Sequence, residues 1–259
     1  MNKRTKRLNK IIEHLREYNS ADVKELAKTL YVSDMTVRRD LKILESQNII
    51  KLLHGGAFIN PGESGSSIDA GYTLPAATAM RNPEKKRIAE KAVSLIEEND
   101  VITIDSGSTM EVFSKLLPID MQLSILCYSL NVLNEVAKRK NSQIIFAGGL
   151  FHERSLMFES PEGLSLIRRT RTNKAFISAS GANAELGVTT KIQHERDVKE
   201  AIMESSQNRI LLIDSTKFGK VQTNYFANLE DFEVIITDDG ISEEYFQIIK
   251  SLDIQLHVV

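Results

Sequence analysis

Two constellations in this chain have residue types and spacing that could do chemistry. The first is Asp105-Ser106-Gly107-Ser108-Thr109, which follows the apolar run Val101–Ile104 and precedes a helical pattern. A glycine among hydroxyls at a strand-to-helix junction can cup a phosphate. Backbone N–H groups converge there, at the positive end of the helix. The same residues are ordinary turn formers, so a plain turn stays open. Small polar residues also follow four other apolar runs: Ser129 and Asn131, Gly148 and Gly149, Ser180 and Gly181, and Asp214 through Lys217. The glycines allow close backbone approach or simply make turns. Lys217 offers a cation to a phosphate, or lies on the surface as most lysines do. Asp105, Glu195 and Asp214 could orient hydroxyls or act as a general base.

The second constellation is Thr36, Arg38, Arg39 and Lys42, a hydroxyl and three cations within seven residues. They belong to a periodic run from Asp34 to Gln47 in which Val37, Leu41 and Leu44 recur at i, i+4, i+7. At about 100° per residue those three form a buried stripe and the four polar residues face outward. Asp40 falls at the edge of the stripe, so it should pair with a nearby cation. Ser33 is a good N-cap, and Asp34 suits the first turn. A cationic helix face can be merely solvated, or it can meet nucleic acid.

The surrounding elements favour nucleic acid. A short run Val23–Leu30 precedes a three-residue break, Tyr31-Val32-Ser33, giving two helices joined by a tight turn. That is a helix-turn-helix, whose second helix enters the major groove. Ile49–Leu53 followed by Gly55-Gly56 reads as a strand pair with a turn, a wing. A first helix over Arg4–Tyr18 supplies Leu8, Ile11, Ile12 and Leu15 as the third wall of a small core. Residues 1–60 hold 12 Lys and Arg against 7 Asp and Glu, whereas the remainder holds 21 against 28. The net −2 therefore conceals a basic head on an acidic body, as expected when only the head meets phosphate.

Residues 60–80 (NPGESGSSIDAGYTLPAATAM) have the composition of a linker. The expected organisation is a winged helix-turn-helix at 1–59, the linker, and a second domain at 81–259. That domain opens with a helix over Glu84–Glu98. Strands then alternate with helices over Met110–Leu117, Asn131–Lys140, Glu195–Ser206 and Glu243–Leu252. Near-continuous apolar strands with β-α alternation imply an α/β fold, a mainly parallel, Rossmann-like sheet covered on both faces. Ligands of such sheets bind outside the carboxyl ends of the strands, where the small polar residues stand.

The remaining composition excludes several classes. No apolar run reaches 18 residues and the charged start MNKRTKRLNK is no signal peptide, so a cytoplasmic protein is expected. A lone Cys127 within an apolar run excludes an intrachain disulfide and reads as a buried hydrophobe. His152-Glu153 and His194-Glu195 carry metal-type donors, but they lack i, i+4 His spacing and an assisting Cys. No metal or cofactor is expected.

VSDMTVRRDLKILE followed by HGGAF resembles the DNA-binding head of the DeoR family of bacterial repressors. DSGST, the Gly148-Gly149 pair, SASG at 178–181 and DSTKFGK at 214–220 resemble that family's sensing domain. The likeness thus covers nearly the whole chain. It implies a winged helix-turn-helix followed by a sugar-phosphate sensor related in fold to ribose-5-phosphate isomerase, working as a homo-oligomer on operator DNA. The DNA-facing set so implied is Ser33, Thr36, Arg38, Arg39, Lys42 and His54. The effector-facing set is Asp105 through Thr109 (with Ser106, Gly107 and Ser108), Ser129, Asn131, Gly148, Gly149, Gly181, Glu195 and Lys217. CYSLN, GGLFH and DSTKFGKV resemble the family members that respond to deoxyribose 5-phosphate, and that resemblance implies the same effector here. Where the family often has Gly-Thr-Thr this chain has Gly107-Ser108-Thr109, which keeps the hydroxyls. The competing reading is a sugar-phosphate isomerase with a DNA-binding appendage.

Overall fold

A computed structural model describes residues 7–8, 10–12, 14–15, 20–46, 50–53, 56–59, 74 and 82–259. They fall into two compact units, Met1–Arg81 and Asn82–Val259.

In the first unit, the described positions between 7 and 15 are helical. Strand β1 (Ser20–Asp22) leads into α1 (Val23–Leu30), α2 (Asp34–Ser46) and the strands β2 (Ile50–Leu53) and β3 (Gly56–Ile59). Asp22 caps α1 by accepting from Lys24 N at 2.7 Å. The Ser33 hydroxyl caps α2, accepting from Thr36 N at 3.3 Å. Each cap satisfies an N–H that has no partner inside its helix. Val37, Leu41 and Leu44 are buried against Ile11, Leu15, Leu26, Ile50 and Ala57, which is the stripe read from the sequence. Asp40 is buried and paired with Arg7, so the cation comes from the first helix. The wing has three antiparallel strands in the order β1-β3-β2 rather than two. Three residues of β1 are too few to show a period-2 pattern. Glu45 ties α2 to the wing by accepting from Leu52 N at 3.1 Å.

The second unit is built on seven parallel strands in the order β15-β14-β12-β9-β4-β5-β6. In chain order these are β4 (Val101–Ile104), β5 (Leu123–Cys127), β6 (Ser142–Phe146), β9 (Thr172–Ser178), β12 (Ser206–Leu212), β14 (Val234–Thr237) and β15 (Gln255–Val258). Both faces are covered, and the two-residue period divides the core. Ile125, Cys127, Phe176, Ile210 and Leu212 enter one cluster, with Ile88 and Phe113. Leu126, Tyr128, Ile177, Leu211 and Ile213 enter the other, with Val198 and Ile202. Alternate side chains of one apolar run thus serve opposite faces.

Helices α3 (Asn82–Val93), α4 (Ser108–Leu116), α5 (Leu130–Val136), α6 (Pro161–Arg169), α7 (Gln193–Ser205) and α8 (Glu243–Ser251) flank the sheet. Two of them are shorter than their periodicity implied. α3 stops at Val93 because Asp100 folds the following segment into a turn, accepting from Glu97 N at 2.8 Å. α5 stops at Val136, and Arg139 reaches back to Ser142 and to the Met121 carbonyl at 3.0 and 2.6 Å. Conversely, α4 begins at Ser108 rather than Met110. Unforeseen were α6, the hairpin β7 (Leu150–His152) and β8 (Met157–Glu159), and an antiparallel sheet of β10 (Gly181–Asn183), β11 (Gly187–Thr190) and β13 (Asn224–Ala227). Their strands have three or four residues, below the length at which alternation is legible.

The turn between α1 and α2 carries an identifiable strain. Tyr31 sits at φ 54°, ψ 47°, with its N–H on Lys28 O at 3.3 Å and Val32 N on Ala27 O at 3.1 Å. This helix ending usually takes glycine, since an L side chain in the left-handed region costs about 1–2 kcal/mol. Tyr31 is 95% exposed, so no packing offsets the cost. Tyr31→Gly should therefore raise the unfolding free energy of the head by about 1 kcal/mol, read from urea denaturation. A loss of stability would show that the freedom glycine adds to the unfolded chain outweighs the relieved strain.

Candidate functional site

The turns after β4, β5, β6, β9 and β12 all lie at the carboxyl edge of one parallel sheet. At their centre is Asp105, fully buried at the end of β4. One carboxylate oxygen accepts from the Tyr128 hydroxyl. The other accepts from Lys199 Nζ and from Ser178 N at 2.8 Å, with Ser178 Oγ at 2.9 Å. Lys199 is 1% exposed on α7 and also donates to Ser178 O at 3.0 Å. Its ammonium lies 5.4 Å from the centroid of the Phe226 ring. Burial, reinforced by the Asp105 charge, pushes the Tyr128 phenol well above its ordinary pKa, so it stays protonated and donates.

Sequence reasoning placed Asp105 toward the ligand and missed Tyr128, Ser178 and Lys199. Asp105 spends both oxygens on protein donors. Its role in this geometry is to hold the next residues in place. A legible signal for Lys199 did exist. It stands at i+4 from Glu195 and i−3 from Ile202, a cation on the apolar stripe of an amphipathic run.

Ser106 N donates to the Tyr128 oxygen at 3.2 Å. Gly107 follows at φ +111°, and a Cβ there would stand 3.2 Å from Ser178 Oγ. It precedes the first turn of α4 with no side-chain cap. The first N–H groups of α4, at Ser108 and Thr109, have no carbonyl within the helix to meet, and both residues are largely buried. Beside this turn stand Ser129 and Asn131. The Asn131 amide nitrogen is 3.5 Å from Gly107 O. Among the described residues, Ser129 Oγ and Asn131 Oδ1 are buried and have no hydrogen-bond partner. An orphaned buried acceptor or donor costs about 1–3 kcal/mol, so each calls for a partner such as a water or a ligand.

The remaining sequence-predicted positions divide. Gly149, at φ +149°, would place a Cβ 2.2 Å from Glu159 O, and a Cβ on Gly181 would lie 2.4 Å from Lys220 O. Both glycines are explained by close packing of the chain on itself. Gly148 has room for a side chain, with Phe146 at 3.7 Å, and its carbonyl accepts from Ser160 Oγ at 2.9 Å. Glu195 is buried in the first turn of α7 and accepts from the Thr190 hydroxyl. Burial raises its pKa against the opposing pull of Lys199 and Thr190. Asp214 accepts from Thr216 N at 3.2 Å, and Lys217 is half-buried on the same short 3-10 turn, Ser215–Lys217. Asp238, unremarked in the sequence, closes β14 and accepts from Ser215 N and Oγ at 2.7 and 2.8 Å. The three carboxylates considered as general bases, Asp105, Glu195 and Asp214, thus all face internal donors. Burial pushes the Cys127 thiol up to about 12.

On the head, Ser33, Arg38, Arg39 and Lys42 are exposed and Thr36 is half-buried. The hydroxyls of Ser33 and Thr36 lie 3.0 Å apart. All three cations lie off the buried stripe, as the angular spacing implies, with Arg39 farthest from it and Arg38 on its flank. His54 lies outside the described residues.

The structure also joins residues that sequence spacing kept apart. His152 and His194 stack with ring centroids 3.7 Å apart, and Glu159, rather than Glu153 or Glu195, supplies the neighbouring carboxylate.

The buried pair can be tested by subtraction. Lys199→Met strands the Asp105 charge and should destabilise the second unit by about 3–5 kcal/mol. Adding Asp105→Asn removes that charge and should restore part of the loss, giving a non-additive cycle in urea denaturation. Additive losses would mean that the two side chains do not act as a pair.

Residues 7–62 match the family described as the DeoR-like helix-turn-helix domain, and residues 81–239 match the DeoR C terminal sensor domain. The HTH-type transcriptional regulator GolR of Listeria innocua is 31% identical over 93% of this chain and 93% of its own. The deoxyribose operon repressor of Escherichia coli is 26% identical over 98% of each chain. Among solved structures, ribose 5-phosphate isomerase A of Methanocaldococcus jannaschii aligns with 52% of this chain and 53% of its own. That alignment has 14% identity and a TM-score of 0.39, too low to add to the reading. With both domain families matched in order and full-length relatives named as transcriptional regulators, this chain belongs to the DeoR family of DNA-binding transcriptional regulators.

Proposed function

We propose that this regulator represses an operon for sugar or deoxyribonucleoside catabolism and is released by a phosphorylated sugar, with deoxyribose 5-phosphate the first candidate. One observation carries the sensor half of that reading: two buried polar atoms, on Ser129 and Asn131, that have no partner among the described residues and belong to the segment beside the glycine turn that opens α4. A phosphate on the first N–H groups of α4 would meet the positive end of the helix. The sugar hydroxyls would then fall to Ser129 and Asn131, with Lys217 as a further cation. The choice of a deoxyribose sugar rests on likeness to the deoxyribose operon repressor. Binding without turnover follows from the committed carboxylates, which leave no positioned base among the three considered.

The head reads DNA through α2 in this proposal. Thr36, Arg38 and Arg39 lie in its first two turns, where base contacts are made, with Lys42 one turn further on. The protein acts as a homo-oligomer, so that two heads meet two half-sites.

Two outcomes test these halves separately. Arg38→Ala and Arg39→Ala should each weaken operator binding at fixed salt without changing the thermal unfolding of the chain. An Arg that reads guanine should cost about 1–3 kcal/mol and relax sequence preference, whereas one on phosphate should weaken all sequences alike. Wild-type operator affinity in the double variant would remove α2 as the reading helix.

For the sensor, a panel of sugar phosphates should contain one that lowers operator affinity through a coupling of about 1–3 kcal/mol, and operator should weaken that ligand by the same factor. Asn131→Ala and Lys217→Ala should bind operator normally yet need more ligand for release. Asn131→Ala is the cleaner probe, since substitution at Gly107 also strains the backbone. Following the ligand by NMR should show no conversion. Conversion in proportion to protein would instead establish the isomerase reading.

A further inference from the structure

We infer that His152, Glu159 and His194 form a binding site for a first-row divalent transition metal of the zinc type, one that pins the β7–β8 hairpin to helix α7. Among the described residues this is the one group of three or more His, Cys, Asp and Glu side chains that could converge on an ion. One ligand atom from each lies within 4.8 Å of the others.

The three side chains come from separate segments, and each segment is held. His152 ends β7 and Glu159 ends β8, in a hairpin whose register pairs His152 with Met157 and Leu150 with Glu159. The hairpin is anchored to the sheet edge by Phe158 N on Tyr128 O at 2.8 Å and Leu130 N on Leu156 O at 2.7 Å. His194 stands in the first turn of α7, one residue before the buried Glu195. Backbone on both sides is therefore fixed before any ion arrives, which lowers the ordering cost of binding.

The donor set selects the ion. Two imidazoles and one carboxylate are poor ligands for magnesium or calcium, which take oxygen. They suit zinc and its neighbours, and three protein ligands leave a fourth position open. Bonds of about 2.0–2.1 Å in tetrahedral array put ligand atoms roughly 3.3 Å apart. His152 Nε2 and Glu159 Oε2 are 2.9 Å apart already. His194 must swing to converge, because rings stacked 13° from parallel aim their lone pairs side by side. All three side chains are half-buried and retain room for such a rotation. Ser155 Oγ, 3.3 Å from His194 Nε2, is the contact this swing would exchange for the ion.

The consequence concerns the sheet edge. The hairpin covers the Ser129–Asn131 turn through the bridge between Ser129 and Met157, and α7 carries Lys199. An ion shared by hairpin and helix would tie these two walls together. The inference rests on the three ligands alone and stands whether or not a sugar phosphate is the effector.

The test uses the full chain, freed of metal by chelator and titrated with Co2+ and then Zn2+ without other ligand. One Co2+ per chain should bind with the visible absorption of a low-symmetry site, and Zn2+ should displace it. Zn2+ should also raise the unfolding midpoint, while Mg2+ should not. His152→Ala and His194→Ala should each weaken Zn2+ binding by more than the roughly 10–100-fold that loss of a ligand's mere support costs. Glu159→Gln, which preserves shape and hydrogen bonding, should weaken it as well. Metal-free variants should unfold as the wild type does, which separates lost ligation from lost folding. Absence of stoichiometric Co2+ binding would overturn the proposal, as would unchanged Zn2+ affinity in either His variant.

Discussion

The sensor depends on a single buried ion pair. Asp105 closes β4 and gathers donors from the end of β5, the end of β9 and the second turn of α7. Removing two charges from water costs several kcal/mol each, and their mutual attraction about repays it. The pair is therefore a poor source of net stability compared with apolar packing of the same volume. Its value lies in specification. Any other register of β4, β5, β9 or α7 would leave a carboxylate or an ammonium buried alone. The Tyr128 phenol extends the constraint, because burial beside Asp105 keeps it neutral and fixes its proton toward the carboxylate. Ser106 N then rests on that phenol oxygen, and the turn into α4 inherits the position.

That inheritance explains a division of labour along the sheet edge. Acidic groups there build turns: Asp105, Asp214 and Asp238 each accept from backbone N–H groups of the chain itself. Gly149 and Gly181 admit a neighbouring carbonyl where a Cβ could not fit. What is left for the proposed ligand is mostly neutral: helix-end N–H groups, Ser129 and Asn131, with Lys217 as an added cation. A site composed this way would hold an anion largely by oriented dipoles. Such a site lets an anion leave as well as enter, which a releasable effector requires.

Sequence legibility followed the length of the signal. The stripe Val37, Leu41, Leu44 and the inward lean of Asp40 were readable because α2 runs long enough to define an angle. The sheet was readable because Ile125–Cys127 and Ile210–Ile213 are apolar throughout, as strands covered on both faces tend to be. The hairpin and the β10-β11-β13 sheet were not, since strands of three or four residues carry too little of a period to read. The site was legible in its turns and not in its supports. Ser106–Thr109 announces itself by composition, whereas Tyr128, Ser178 and Lys199 look like ordinary core and helix residues until the topology sets them around Asp105. His152 and His194 illustrate the same limit, being 42 positions apart and in stacking contact.

The charge asymmetry bears on how two such units could communicate. The chain beyond residue 60 carries 28 acidic against 21 basic residues, and a bound phosphate would add about −1.5 to −2 more. Repulsion of DNA by an occupied sensor therefore has the right sign for release. Its magnitude is another matter. A domain of this size has a radius of gyration of about 16 Å, and the Debye length at physiological salt is about 8 Å. Charge spread over such a unit is largely screened. A coupling of about 1–3 kcal/mol then needs differential contacts in two arrangements of the chain. If the proposed ligand sits at the α4 entry, the groups able to report its occupancy are the ones closest to it: that turn, the Ser129–Asn131 turn and the hairpin hydrogen-bonded to it. The last of these is hydrogen-bonded to the Tyr128–Leu130 segment on both sides of the buried Met157, so a shift at that turn passes to it directly.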